Sequence, residues 1–242
     1  MKKYFFFLII LTHSISAQYT NINIIKEIHT KDKGMVVCAH PLASEAGAKI
    51  LKMGGNAFDA TIATQFALAV VYPQAGNIGG GGFLIGYTNK GEKIALDYRE
   101  TAPKKASKDM YLDKNGNANT DLSQNGRLAV GIPGSVSGMY FTHQKYGKLP
   151  ISVLIQPAID LAEKGFAVTE REANLLNATK EDFLKHNSHQ TAFTKENPWK
   201  QGDILVQKEL ANTLKLIQKN GEKAFYEGKN AQLLVDEMKR GN

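Results

Sequence analysis

The stretch Gly76-Asn77-Ile78-Gly79-Gly80-Gly81-Gly82 stands between an apolar run over 58–71 (FDATIATQFALAVV) and a β-compatible run over 83–87 (FLIGY). Its reading decides the fold. Glycine has no side chain to pack and loses the most backbone freedom on folding. Four in succession therefore point to positive φ angles or to the close approach of another group. The plainest reading is a tight, buried turn from helix to strand. An anion loop is the sharper alternative, and the flanks remove it. A phosphate loop needs Lys-Ser or Lys-Thr after its glycines, where Phe83-Leu84 stands instead. The dinucleotide spacing G-x-G-x-x-G is absent, and helix, glycines, strand is the reverse of the order a Rossmann turn requires.

Working outward, Leu42 to Met53 carries apolar residues at Leu42, Ala46, Ile50 and Met53, close to helical spacing, and Gly54-Gly55 ends that helix. Asn56 is placed to cap the next helix, which is apolar on most faces and so belongs in a core; Pro73 stops it. Met35 to Ala39 reads as a short strand punctuated by His40-Pro41. Phe83–Tyr87 and Lys93–Tyr98, joined by Thr88-Asn89-Lys90-Gly91-Glu92, read as a hairpin. The polar run over 113–126 (DKNGNANTDLSQNG) reads as a surface loop. Ser135–Tyr146, Ser152–Lys164, Glu170–Thr179, Gln207–Lys219 and Lys229–Arg240 each have helical spacing or composition.

The chain opens with Lys2-Lys3, an apolar run from Tyr4 to Leu11, and small or polar residues to Ala17. That is the layout of a secretory signal peptide, too short to span a bilayer, with cleavage expected near Ala17. The expected organisation is a signal peptide over 1–17 and one domain over 18–242, secreted or periplasmic, with no membrane attachment after cleavage. The formal charge of +7 is spread along the sequence and gives no basic patch for nucleic acid. The single cysteine, Cys38, can form no internal disulfide and reads as a small core residue.

Candidate chemistry is sparse. His186 and His189 stand three apart with no third ligand following, so no metal site is assigned. Gly134-Ser135-Val136-Ser137-Gly138 has Val136 where a nucleophile elbow needs serine. Asn177-Ala178-Thr179 is a glycosylation sequon by pattern alone. Arg99, at the end of the second hairpin strand, could offer its planar fork to a carboxylate, or could pair with Asp97, Glu100 or another acid.

Several segments taken together resemble the γ-glutamyltransferases, also called γ-glutamyltranspeptidases or glutathione hydrolases. They are Gly54-Gly55-Asn56-Ala57-Phe58-Asp59-Ala60, Gly79-Gly80-Gly81-Gly82-Phe83, Asp97-Tyr98-Arg99-Glu100-Thr101-Ala102-Pro103 and Gly131-Ile132-Pro133-Gly134-Ser135-Val136-Ser137-Gly138. Tyr146-Gly147, Gln156-Pro157-Ala158 and Ala162-Glu163-Lys164-Gly165-Phe166 extend the match. The resemblance implies an α/β N-terminal-nucleophile hydrolase: part of an αββα sandwich, with an additional helical lobe. It implies a precursor that cuts itself into large and small subunits, and a new N-terminal threonine whose own amino group serves as base. That threonine attacks the γ-glutamyl amide of glutathione or a related donor, and water, an amino acid or a peptide receives the glutamyl group. No metal or organic cofactor is implied.

Arg99 matches the family's arginine for the donor's α-carboxylate. The catalytic threonine is expected beyond Asn242, so no residue of this chain is assigned as catalytic. Thr61, Thr64 and Thr101 are not substitutes, and residues 18–242 alone are expected to be inactive. Two other readings are a β-lactam (glutaryl) acylase of the same architecture, and a non-catalytic exported protein that holds a carboxylate on Arg99.

Overall fold

The computed structural model describes residues 34–187 and 189–240; the expected signal peptide and residues 18–33 lie outside the described residues. In chain order the elements are α1 (Pro41–Lys52), α2 (Ala57–Val71), β1 (Phe83–Tyr87), β2 (Lys93–Asp97), α3 (Thr120–Gln124) and α4 (Ser135–Tyr146). They continue as α5 (Ile151–Lys164), β3 (Phe166–Ala167), α6 (Glu170–Ala178), α7 (Lys180–His186), β4 (Ile204–Leu205), α8 (Lys208–Asn220), α9 (Lys223–Tyr226) and α10 (Gly228–Arg240).

The helix α1 starts at a proline, whose fixed φ suits the first turn, and His40 Nδ1 accepts the Leu42 N–H at 3.2 Å as its cap. Its buried stripe of Ala43, Ala46, Gly47 and Ile50 faces α2. The two helices cross closely because Gly47 lacks a side chain. A Cβ there would stand 2.2 Å from Thr64 Oγ1 and 3.1 Å from the Ala60 carbonyl. The second helix packs against α1 on one side and α5 on another, and α5 packs in turn against α8. Being enclosed on most sides, α2 must be apolar nearly all round, which its composition supplies. Phe66, with 0% exposure, contributes on the order of 2–3 kcal/mol by burial alone.

The N-terminus of α2 is tied to the loop after α4 by one buried carboxylate. Asn56 and Asp59 form a reciprocal capping box at 2.9 Å in each direction. Asp59, at 0% exposure, also accepts the Lys148 N–H at 3.0 Å and the Leu149 N–H at 3.3 Å. The Asn56 amide donates to the Tyr146 carbonyl at 2.6 Å. Asn56, read from the sequence only as a cap, thus also fixes α4 and α5 relative to α2.

The hairpin forms over the strands expected, in the register Phe83↔Asp97 to Tyr87↔Lys93. Leu84, Gly86, Ile94 and Leu96 face the helices, and Phe58 of α2 lies beneath Gly86. The opposite face is open: Phe83, Ile85 and Tyr87 are 61%, 84% and 71% exposed. The second pair of strands, β3 and β4, is two residues long and belongs to the helical lobe.

Three expectations are corrected. Met35–Ala39 alternates in burial, with Val36 and Cys38 turned inward, but it pairs with no strand among the described residues and is not a β-strand. Cys38 is half-buried at the core's edge rather than inside it, with its Sγ 3.1 Å from Ser44 Oγ. The 113–126 loop contains α3, capped by Asn119, and its Ala118 bridges back to Leu112 just before it. The short elements α7, α9, β3 and β4 are too brief to show a hydrophobic period.

Candidate functional site

The site is built around the end of the hairpin. Backbone pairing runs one step past β2, with the Tyr98 N–H donating to the Gly82 carbonyl at 2.9 Å and Gly82 N–H donating back at 3.3 Å. The alternation of a strand therefore turns Tyr98 toward the helices and Arg99 to the open face, on the side of Asp97 and Phe83. Asp97 Oδ1 accepts the Arg99 N–H at 2.9 Å, which fixes the arginine's backbone. Arg99 Cζ stands 5.8 Å from the centre of the Phe83 ring, at the outer limit of a cation–π contact.

The guanidinium remains available. Its Nε lies 3.4 Å from Glu100 Oε2, and its side chain is 63% exposed. Neither terminal nitrogen has a partner among the described residues. Those two N–H groups form the edge of the fork that takes a carboxylate through parallel hydrogen bonds. A groove of about 390 Å³ runs beside it, walled by Asp97, Tyr98, Arg99, Thr101, Ser137 and Tyr226 among others.

The glycine run is scaffold, as its flanks imply, but its conformation differs from the plain reading. None of Gly79 to Gly82 has positive φ, and only Gly76 of the stretch is buried. What requires glycine here is close approach. The Gly80 carbonyl accepts both the Gly134 and Ser135 N–H groups, at 2.8 and 2.9 Å, and so caps the start of α4. A Cβ on Gly81 would stand 2.7 Å from Arg99 Cα. Thr101 and Ile132 bridge alongside, exchanging backbone hydrogen bonds at 2.8 and 3.2 Å. The run, the hairpin end and the first turn of α4 are therefore one knot, with Arg99 projecting from it.

Other candidates go elsewhere. Thr61 and Thr64 turn their hydroxyls to the carbonyls of Ala57 and Ala60 in their own helix, at 2.8 Å each. Val136 is buried at 0% exposure, so the elbow-like sequence serves packing. Asn177 holds the Trp199 backbone through both ends of its amide, at 2.9 and 2.7 Å. His186 ends α7, and no group of three potential metal ligands occurs among the described residues.

The sequence reading missed Tyr98, Gly134, Gly138 and Tyr226. Strand alternation carried through residue 98 gives the first, and the four-residue spacing of Gly134, the cap of α4, and Gly138 within it gives the next two. Tyr226, whose hydroxyl accepts the Ser137 N–H at 3.1 Å, arrives from a remote segment and had no signal. Burial raises the phenols of Tyr98 and Tyr226 above their ordinary value, so both are neutral near pH 7.

A family model described as gamma-glutamyltranspeptidase matches residues 43–242. A glutathione hydrolase proenzyme of Pseudomonas sp. (strain A14) is 44% identical over 244 residues, covering 100% of this chain and 42% of the relative. The glutathione hydrolase proenzyme of Escherichia coli (strain K12) is 43% identical, covering 86% of this chain and 36% of the relative. The crystal structure of Helicobacter pylori gamma-glutamyltranspeptidase superposes with a TM-score of 0.84 at 50% identity, covering 86% of this chain and 60% of that one. The chain thus spans about four-tenths of the length of the curated relatives it matches.

Proposed function

This chain belongs to the gamma-glutamyltranspeptidase family, and from that premise we propose that it is the N-terminal part of the large subunit of an exported glutathione hydrolase. Its α/β fold is that of the family's solved structures. In the proposed reaction, the N-terminal threonine of a small subunit from the same precursor attacks the γ-glutamyl carbonyl, and its amino group takes the hydroxyl proton. The tetrahedral adduct collapses as the departing amine takes that proton, leaving a glutamyl ester. Water, an amino acid or a peptide then attacks the ester, loses a proton and restores the threonine hydroxyl.

Arg99 is this chain's contribution to that chemistry. It receives the donor's α-carboxylate on its open fork, which fixes the distance from carboxylate to scissile amide and so selects γ-glutamyl donors. The observation that carries the proposal is the exposed guanidinium with two unpartnered terminal nitrogens, held on a rigid backbone at the edge of an open sheet face. The small subunit is the proposed cover of that face, since Phe83, Ile85 and Tyr87 make an apolar surface that a finished fold buries.

The test is Arg99→Lys in the full-length enzyme. Lysine keeps the charge but not the fork, and the donor KM should rise about tenfold or more, the loss of one charge-assisted hydrogen bond. An unchanged donor KM overturns the assignment.

A further inference from the structure

The space around the Arg99 backbone is shaped to one neighbouring residue. The Tyr98 ring passes between the hairpin and α4 at the two places where each offers a glycine. A Cβ on Gly138 would stand 2.4 Å from Tyr98 Cγ and 2.8 Å from its Cβ, and one on Gly82 would stand 2.9 Å from Cε2. The adjoining backbone is enclosed just as closely. A Cβ on Gly134 would stand 2.0 Å from the Tyr98 carbonyl oxygen, and one on Gly81 2.6 Å from the Glu100 nitrogen.

Gly138 is the informative member. It sits within α4 at a negative φ, where alanine would favour the helix by about 1 kcal/mol. Nothing in the helix itself asks for glycine there. What asks for it is the ring of Tyr98. The arrangement gives Arg99 an immobile Cα and a free guanidinium, the combination that lets one side chain present its fork at a set distance and angle.

We propose that Tyr98 is a positioning residue for Arg99: its ring, wedged between Gly82 and Gly138, sets where the arginine's fork meets the donor carboxylate. The proposal rests on the reading of Arg99 as the carboxylate site. A tyrosine that merely fills the core would, on truncation, lower the fraction of folded enzyme and hence the apparent kcat, leaving KM alone. A tyrosine that aims Arg99 acts on KM.

The experiment compares Tyr98→Leu, Gly138→Ala, Tyr98→Phe and Arg99→Lys in the full-length enzyme with a γ-glutamyl anilide donor. Tyr98→Leu and Gly138→Ala should each raise the donor KM about tenfold, with kcat changed less than about threefold. That is the cost of one misdirected charge-assisted hydrogen bond. Tyr98→Phe, which keeps the wedge, should return KM to within about twofold of wild type. If either Tyr98→Leu or Gly138→Ala does not fold, the other decides the matter; if neither folds, the double variant Tyr98→Leu/Gly138→Ala, in which the new methyl enters the space the ring has left, is read in their place. A fall in kcat at unchanged KM in the folded variants overturns the proposal, as does a Tyr98→Phe KM as high as that of Tyr98→Leu. If Arg99→Lys also leaves KM unchanged, the carboxylate reading itself fails. If Arg99→Lys raises KM and the Tyr98 and Gly138 variants do not, only the positioning role fails.

Discussion

Replacing Asp59 by alanine should be among the most damaging single changes in this unit, although Asp59 touches no candidate site residue. Its carboxylate is at 0% exposure and accepts N–H groups from Asn56 at 2.9 Å, Lys148 at 3.0 Å and Leu149 at 3.3 Å. Alanine abandons all three donors. Lys148 is exposed and can turn to water, whereas Asn56 and Leu149 are half-buried and cannot do so freely. At roughly 1–3 kcal/mol for each donor left without a partner, the two enclosed N–H groups put the cost at about 2–6 kcal/mol. The capping box that begins α2 is lost with them, inside the same figure. Domains are stable by only about 5–15 kcal/mol, so this is a large share. Equilibrium urea unfolding followed by far-ultraviolet ellipticity measures it directly. With a slope of about 2 kcal/mol per molar, the midpoint should fall by about 1–3 M. Asp59→Asn keeps the shape and one acceptor oxygen but turns an NH2 toward donors, and should fall between the two. An Asp59→Ala midpoint within about 0.2 M of wild type refutes the reasoning, since it would mean that the three hydrogen bonds carry no net stability.

Tyr140 is 7% exposed and its hydroxyl donates to the Ile217 carbonyl at 2.8 Å, joining α4 to α8. Burial first, and the Glu222 carboxylate second, push its pKa from 10.0 up to about 12. A folded pKa above the unfolded one means stability that is complete below pH 10 and lost as pH rises toward 12. The loss is roughly 3 kcal/mol. Tyr140→Phe should therefore show a shallower alkaline decline in unfolding midpoint than wild type, and parallel declines would count against the assignment. Asn177→Ala should cost about 1–3 kcal/mol by releasing the Trp199 backbone. Because Trp199 is the chain's only tryptophan, its emission should shift to the red, and an unmoved emission maximum with an unmoved midpoint contradicts the role given to Asn177. Residues 18–242 purified alone should give no turnover of a γ-glutamyl anilide, and measurable turnover would relocate the nucleophile into this chain.

The elements legible in the sequence are those whose signals are local. The apolar spacing of α1, Asn56 before α2 and the alternation of the hairpin each act within a few residues, and each element appears within a residue or two of its expected bounds, although Pro41, expected to end a strand, instead begins α1. The place of Arg99 just past a strand was legible for the same reason, while its proposed role came from the family resemblance. What was hidden depends on segments that meet only in three dimensions. Asp59 reads as one more residue in an apolar helix until Lys148 and Leu149 close on it from the chain that follows α4. Gly138 reads as a weakness in a helix until the Tyr98 ring fills the gap. Met35–Ala39 shows the converse error: β-like composition and inward-outward alternation, with no partner strand to make it a strand.

The two hairpin strands differ in a way that bears on Arg99. On the open face β2 carries Lys93, Ala95 and Asp97, the polar alternation of a strand with one wet side. On that same face β1 carries Phe83, Ile85 and Tyr87, and it is apolar inward as well at Leu84. Apolar residues on both faces mark a strand meant to be enclosed on both. Arg99 lies at the boundary, its guanidinium beside Phe83 and its backbone held by Asp97. When a small subunit covers β1, as proposed, water leaves the apolar side of that boundary. An arginine–carboxylate pair there gains strength from the lower local dielectric. The guanidinium's exposure in this chain and its proposed selectivity in the enzyme are thus two states of one site. In that proposal residues 76–138 hold and aim the fork, and the enclosure that would give it discriminating power would come from the covering subunit.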